Sequence, residues 1–253
     1  MRRSRSLILA AIALAAAIAG CDDPPPPDAG TVVVVHGLGR TSRSMSLLAA
    51  RLAHAGFRVV DFDYPSTSET LEELTARLDR ELSLCCAGEE ETVHFVTHSM
   101  GGVVVWAYLA GRAPGYGGRV VMLAPPAGGS ELIDLLAETP VLESLVGPAG
   151  AGLGTDSTRA TARLAPVGFE LGVIAGDRSL NPLTSWIIPG PDDGKVGVDA
   201  ARVPGAVDFL VIPGTHTFLM NRGDVADQVV HFLRHGAFSR PSGRSPGPRD
   251  EGR

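Results

Sequence analysis

Thr31-Val-Val-Val-Val35 is an unbroken β-branched stretch, and it sets a pattern that the rest of the chain repeats. A strand with one wet face alternates apolar and polar residues. A run that is apolar at every position belongs to a strand covered on both sides. Five more short apolar runs follow: Phe57-Arg-Val-Val-Asp-Phe62, Thr92-Val-His-Phe-Val96, Arg119-Val-Val-Met-Leu123, Leu171-Gly-Val-Ile174 and Phe209-Leu-Val-Ile212. Helical spacing lies between them. Residues 42–55 place Met45, Leu47, Leu48 and Leu52 at helical intervals, and Gly56 follows as a stop. Ser68 to Leu84 carries a stripe of Leu71, Leu74, Leu78 and Leu82, with Ser68 available as its cap. Gly102 to Ala110 and Val225 to Arg234 complete the alternation. It predicts an α/β fold, with a mostly parallel central sheet and helices on both faces.

The two ends read differently. Arg2, Arg3 and Arg5 precede an uncharged apolar run from Leu7 to Ile18, and Ile18-Ala-Gly-Cys21 closes it. The run is too short to span a bilayer comfortably and has the form of a signal-peptide core. Small residues before Cys21 resemble a bacterial lipobox, which implies cleavage before Cys21 and lipid attachment there. Residues 1–20 are therefore expected to be a lipoprotein signal peptide. Residues 21–30, with Pro24 to Pro27, form a stiff extended linker. The expected location is the periplasmic or extracellular face of a bacterial membrane. Residues 237–253, rich in Pro, Gly, Ser and Arg, are expected to be a disordered tail. That leaves 31–236 as the folded domain. At 44% hydrophobic residues and a formal charge of −6, the chain is not intrinsically disordered and has no basic cluster suited to nucleic acid. Three cysteines exclude a disulfide scaffold and a four-cysteine zinc site. Cys85 and Cys86 are adjacent, a spacing that disfavours pairing with each other.

Chemistry is expected where the alternation breaks. Thr97-His98-Ser99-Met100-Gly101-Gly102 is wedged between the third strand and its helix. A Ser on a tight strand-to-helix turn has its hydroxyl forced out above the sheet edge, and the glycines give the reversing backbone room. The free amides at the helix start can stabilise a negative oxygen. This turn resembles the nucleophile elbow of the α/β-hydrolase family, G-x-S-x-G, with Thr97 standing where the first glycine usually is. The resemblance implies that Ser99 is the nucleophile. His36-Gly37-Leu38-Gly39, ending the first strand, resembles the family's oxyanion loop. Carried over, it makes the amides of Leu38 and Met100 the oxyanion donors, with His36 bracing the loop.

A serine nucleophile needs a base, and His is matched to neutral pH. His94 lies inside a strand, and His54, His231 and His235 lie on helices or their ends. His98 adjoins Ser99 but points elsewhere along the turn. His216 follows the sixth strand on the loop before the last helix, where the family places its base. The acid falls between the fifth strand and His216. Asp193, in Asp193-Gly-Lys-Val196, resembles the family's D-G-x-V stretch; Asp177 and Asp192 are the other candidates. Lys195, the single lysine of the chain, reads as an exposed turn residue.

The order Ser99, Asp193, His216 is that of α/β-hydrolases. It implies acyl transfer to water, with esterase or lipase activity on an apolar acyl ester and no metal or organic cofactor. A thioesterase, amidase or acyltransferase would use the same residues. A surface lipoprotein that only binds a ligand would not need all three. Residues 126–168 form a long connection with Leu132, Ile133, Leu135, Leu136, Leu142, Leu145 and Val146 at helical spacing, then a glycine-rich run, Gly147 to Gly154. In this family such an insert often forms a cap or lid, here with a hinge-like glycine run, over an apolar substrate.

Overall fold

The computed structural model describes residues 30–86, 92–110, 118–138, 140–156 and 169–240, with backbone alone for 140–144. Six strands form one sheet in the order β2-β1-β3-β4-β5-β6: β1 (Thr31–Val35), β2 (Arg58–Phe62), β3 (Val93–His98), β4 (Val120–Leu123), β5 (Leu171–Gly176) and β6 (Asp208–Ile212). Every neighbouring pair is parallel. The expected signal peptide, Cys21 and most of the expected linker lie outside the described residues.

The continuous apolar runs have the predicted cause. All five residues of β1 are buried, because both faces of the sheet are covered. Val33, Val35 and Phe95 pack beneath α2 (Leu71–Cys85) and α3 (Met100–Ala110) through Leu74, Leu78 and Trp106. Val32, Val34 and Val96 pack on the opposite side against α1 (Ser46–His54) and the closing helix Gly223–His235, through Leu48, Leu52, Val229 and Phe232. α1 is entered through a 3-10 turn, Ser42–Met45. The connection from β2 to β3 passes over β1, so the order reverses between β1 and β3. Loops diverge at such a reversal and leave a crevice at the carboxyl ends of the strands. The turn after β1 and the turn after β3 meet there.

Four expectations change. The cap of α2 is Thr70 rather than Ser68: its hydroxyl accepts the Glu73 amide at 3.2 Å while the Glu73 carboxylate accepts the Thr70 amide at 2.8 Å. Cys85 and Cys86 form a disulfide with each other. Helical geometry ends at Cys86 (φ −140°, ψ 36°), which frees its side chain to turn back. Residues 237–240, expected in the tail, pack on the domain: Phe238 is buried against Phe232 and Arg240 pairs with Asp208 at 2.5 Å, while 241–253 lie outside the described residues. The insert supplies two helices, α4 (Glu131–Ala137) and α5 (Pro140–Ala151), the second broken at Gly147. Its glycine-rich run is no open hinge. A Cβ on Gly147 would lie 2.0 Å from the Thr67 carbonyl oxygen, and the Ala149 amide donates to Glu69 at 3.2 Å. The residues that join this insert to β5, 157–168, lie outside the described set. A short helix absent from the sequence reading, α6 (Pro182–Ile187), follows β5 and is capped by Asn181. The closing helix is α7.

Candidate active site

Ser99 sits at φ +54°, one of two non-glycine residues with positive φ among those described. That conformation is sparsely populated for residues bearing a Cβ, and it persists where packing over-determines it. The Ser99 amide donates to the Leu123 carbonyl at 2.8 Å and the Gly102 amide to the Ser99 carbonyl at 2.9 Å. Gly101 runs against the end of β1, where a Cβ would meet the carbonyl oxygens of His36 at 2.5 Å and Val35 at 2.7 Å. Thr97 fits in place of the usual glycine because Gly102 has no side chain. A Cβ there would lie 3.2 Å from the Thr97 Oγ1, a buried oxygen with no hydrogen-bond partner among the described residues.

The structure brings Ser99, His216 and Asp193 into one chain of contacts. Ser99 Oγ lies 3.0 Å from His216 Nε2, and His216 Nδ1 lies 2.8 Å from Asp193 Oδ2. Asp193 is buried, with its other oxygen accepting the amides of Lys195 at 3.0 Å and Val196 at 2.9 Å. Its carbonyl accepts the His216 amide at 2.9 Å. The carboxylate therefore holds the ring and is itself held. Asp192 does something else. It accepts the Ser185 hydroxyl and the Gly194 amide, closing the turn. Asp177 stands beside Arg178, 3.5 Å away, and does not approach the imidazole.

His98 is not in line with the Ser99 proton, as expected. Its Nε2 lies 2.9 Å from the His216 carbonyl, which makes it a donor and a brace for the loop that carries the base. Burial first, then the neighbouring His216, keeps this ring neutral well below the usual histidine range. His36 braces the first loop. It is fully buried, stacks on Tyr64 with ring centroids 4.2 Å apart, and accepts the Tyr64 amide at Nε2 (3.3 Å) while its Nδ1 faces the Gly37 carbonyl (2.9 Å). The Tyr64 hydroxyl donates to the His36 carbonyl at 2.6 Å. The loop so held crosses close to Ser99, for a Cβ on Gly37 would touch Ser99 Cβ at 3.0 Å. The Gly39 amide is taken by Ser66 Oγ at 2.9 Å, whereas no acceptor among the described residues takes the Leu38 amide. Met100 opens α3, so its amide is one of the unpaired donors of a helix start.

A cleft of about 570 Å³, counting space open to solvent, lies over Ser99 and His216. Leu38, Leu132, Ile133, Leu136 and Leu153 make an apolar wall, so the insert does border the site. Arg40 and Lys195 line the same cleft. Lys195 is exposed, as expected, and neither residue was expected to border the site. Arg40 follows His36-Gly-Leu-Gly39 at once and Lys195 follows Asp193 by two residues, and that proximity was the available signal.

Among solved structures, the mature form of the Bacillus licheniformis lipase BlEst2 superposes with a TM-score of 0.63 at 23% identity, over 78% of this chain and 89% of that one. Phospholipase PlaB from Legionella pneumophila gives 0.62 at 17% identity, over 82% of this chain and 60% of that one. The metagenomic carboxyl esterase MGS0156 gives 0.60 at 19%, over 77% and 67%. At such identities the likeness is one of fold. No curated protein matches the sequence. Residues 32–235 match the model of the alpha/beta hydrolase family, a span that takes in all of the sheet but Thr31 and every residue of the Ser99 cluster, and the chain belongs to that family.

Proposed function

We propose that the protein is a serine hydrolase that cleaves carboxylic esters through an acyl-enzyme. The observation that carries this reading is the line from Ser99 Oγ to His216 Nε2 (3.0 Å) and from His216 Nδ1 to buried Asp193 (2.8 Å). Ser99 Oγ attacks the ester carbonyl carbon as His216 Nε2 takes its proton. Asp193 fixes the ring tautomer and stabilises the imidazolium. The amides of Leu38 and Met100 receive the oxyanion, each worth about 3 kcal/mol in the transition state. His216 returns the proton to the departing alcohol, and water then releases the acyl group by the same route in reverse. The apolar wall of the cleft supports an acyl chain as the group held.

Fluorophosphonate labelling tests the nucleophile: the wild-type chain labels and Ser99→Ala does not. Persistent labelling of the variant removes Ser99 from the role. A series of p-nitrophenyl esters from acetyl to palmitoyl reads the acyl preference, and no hydrolysis across the series counts against an esterase. The N-terminal sequence supports export and lipid attachment at Cys21 as part of the same reading. Radiolabelled palmitate should enter the wild-type protein in bacteria and not Cys21→Ala; equal incorporation overturns the anchor.

A further inference from the structure

Among the described residues, Arg77, Arg119, Arg178, Arg202, Arg222 and Arg240 each meet a carboxylate within 4 Å. Arg40 and Lys195 do not, although both line the cleft over Ser99. The Arg40 guanidinium reaches only the Thr217 carbonyl, at 3.4 Å. Lys195 is tied by its backbone, its amide to Asp193 and its carbonyl to the Ser130 hydroxyl at 2.7 Å, while no acceptor among the described residues takes its ammonium. Its outer part is open to solvent. Partial desolvation, then the Arg40 charge, lowers its pKa from the ordinary lysine value, and the Asp193 carboxylate offsets part of that shift. Two like charges beside a partly apolar cavity cost free energy, and an anion between them would remove that cost.

Their placement relative to the bonds that change is informative. Arg40 is bonded to the residue after His216, and Lys195 stands two residues after the acid that holds His216. His216 must deliver its proton to the leaving oxygen, so the alcohol half of an ester lies on this side. The apolar wall comes mainly from the insert, through Leu132, Ile133, Leu136 and Leu153. The cleft therefore combines apolar side chains with two cationic residues, one of them bonded to the loop that carries His216, toward which the alcohol departs.

We propose that Arg40 and Lys195 form an anion subsite for the alcohol half, and that the substrates are acyl esters of a phosphate-bearing alcohol. This rests on the ester-hydrolase reading above. Ser99 Oγ bonds to the acyl carbon, and the bond from that carbon to the alcohol oxygen breaks. The proton taken from Ser99 passes through His216 Nε2 to that oxygen. The phosphate-bearing alcohol leaves, and water then frees the acyl group as a carboxylic acid.

The test compares the octanoyl ester of glycerol 3-phosphate with monooctanoylglycerol, both below their micelle-forming concentrations, on the full chain. The wild-type kcat/KM should favour the phosphate ester about tenfold or more, the size expected for charge-assisted hydrogen bonds to a phosphate. Arg40→Gln combined with Lys195→Gln should bring that ratio close to one, and Lys195→Arg should keep most of it. Glycerol 3-phosphate should compete with the neutral ester in the wild-type protein and lose this competition in the double variant. A wild-type ratio near one overturns the subsite, as does a ratio unchanged in a double variant that still labels with fluorophosphonate. If the double variant does not fold, the wild-type ratio and the two single variants decide. A wild-type chain that neither labels nor hydrolyses either ester removes the parent reading instead.

Discussion

Gly101 carries the strictest steric demand of the nucleophile turn. The atoms its Cβ would strike are backbone oxygens of β1 and its loop, at 2.5 and 2.7 Å, and neither can swing aside as a flexible side chain would. Gly101→Ala must push the start of α3 off the sheet edge, carrying Ser99 and the Met100 amide with it. Misplacement of reacting groups by about 1 Å costs on the order of a hundredfold in rate. Ester hydrolysis by Gly101→Ala should fall by at least about that factor, with a lower urea midpoint; near-normal kcat/KM would mean that the turn is looser than its contacts imply. Thr97 shows the opposite case. Its Oγ1 is buried without a partner among the described residues, so replacing the hydroxyl by a methyl group of similar shape loses no hydrogen bond and removes a desolvation cost. Thr97→Val should be neutral or stabilising by up to about 1 kcal/mol in urea unfolding, whereas a clear loss would reveal a bond to that oxygen. Ser99, Asp193 and His216 were legible in the sequence because the chemistry restricts residue type and order together. Arg40 and Lys195 were not, since a charged residue in a loop reads alike whether it faces a cleft or bulk water.

The elements show where periodicity stops being informative. All six strands were legible to within two residues at either end, because short runs rich in β-branched and other apolar residues, separated by helical spacing, have few other uses in a chain this size. Helix α6 has six residues, and its Leu183 and Trp186 are 80% and 88% exposed, so no buried stripe announces it. The start of α2 was readable and misread. Ser68 and Thr70 both carry hydroxyls, but only Thr70 has a Glu three residues on, the spacing that lets each side chain satisfy the other's amide. Thr70→Ala should destabilise the protein by about 1 kcal/mol, as loss of an N-cap does, and Ser68→Ala by much less. Equal urea midpoints for the two variants would deny Thr70 the capping role. The same helix ends in the paired Cys85 and Cys86, and Arg58 from the start of β2 donates to the Cys85 carbonyl at 2.8 Å. That contact ties this end of the helix to the sheet edge.

At the scale of the molecule, strand order could not be read from the sequence, since alternation says that strands and helices follow one another without saying which strands adjoin. The passage of the chain over β1 sets the His36 loop beside Ser99. Besides His216, the same architecture buries His36, His94 and His98 at or near the sheet. Burial is the first cause that lowers each of their pKa values, and His94, which accepts the Arg119 amide at 2.9 Å, is pushed down to about 4. In the unfolded chain these rings take up protons near pH 6.5. Between there and pH 4 the unfolded state binds more protons than the folded one, so stability declines as pH falls through this window. For His94 alone the loss reaches roughly 3 kcal/mol by pH 4, and the other two rings add in the same direction. Urea midpoints measured from pH 7.5 to 4.5 should therefore drop steadily below pH 6.5. His94→Asn, whose side-chain oxygen can still accept the Arg119 amide but does not titrate, should show a shallower slope over the same range. A midpoint that stays level from pH 7.5 to 5 in the wild-type protein would mean that these rings are protonated in the folded state, and with that the neutral braces at His36 and His98 would fail as well.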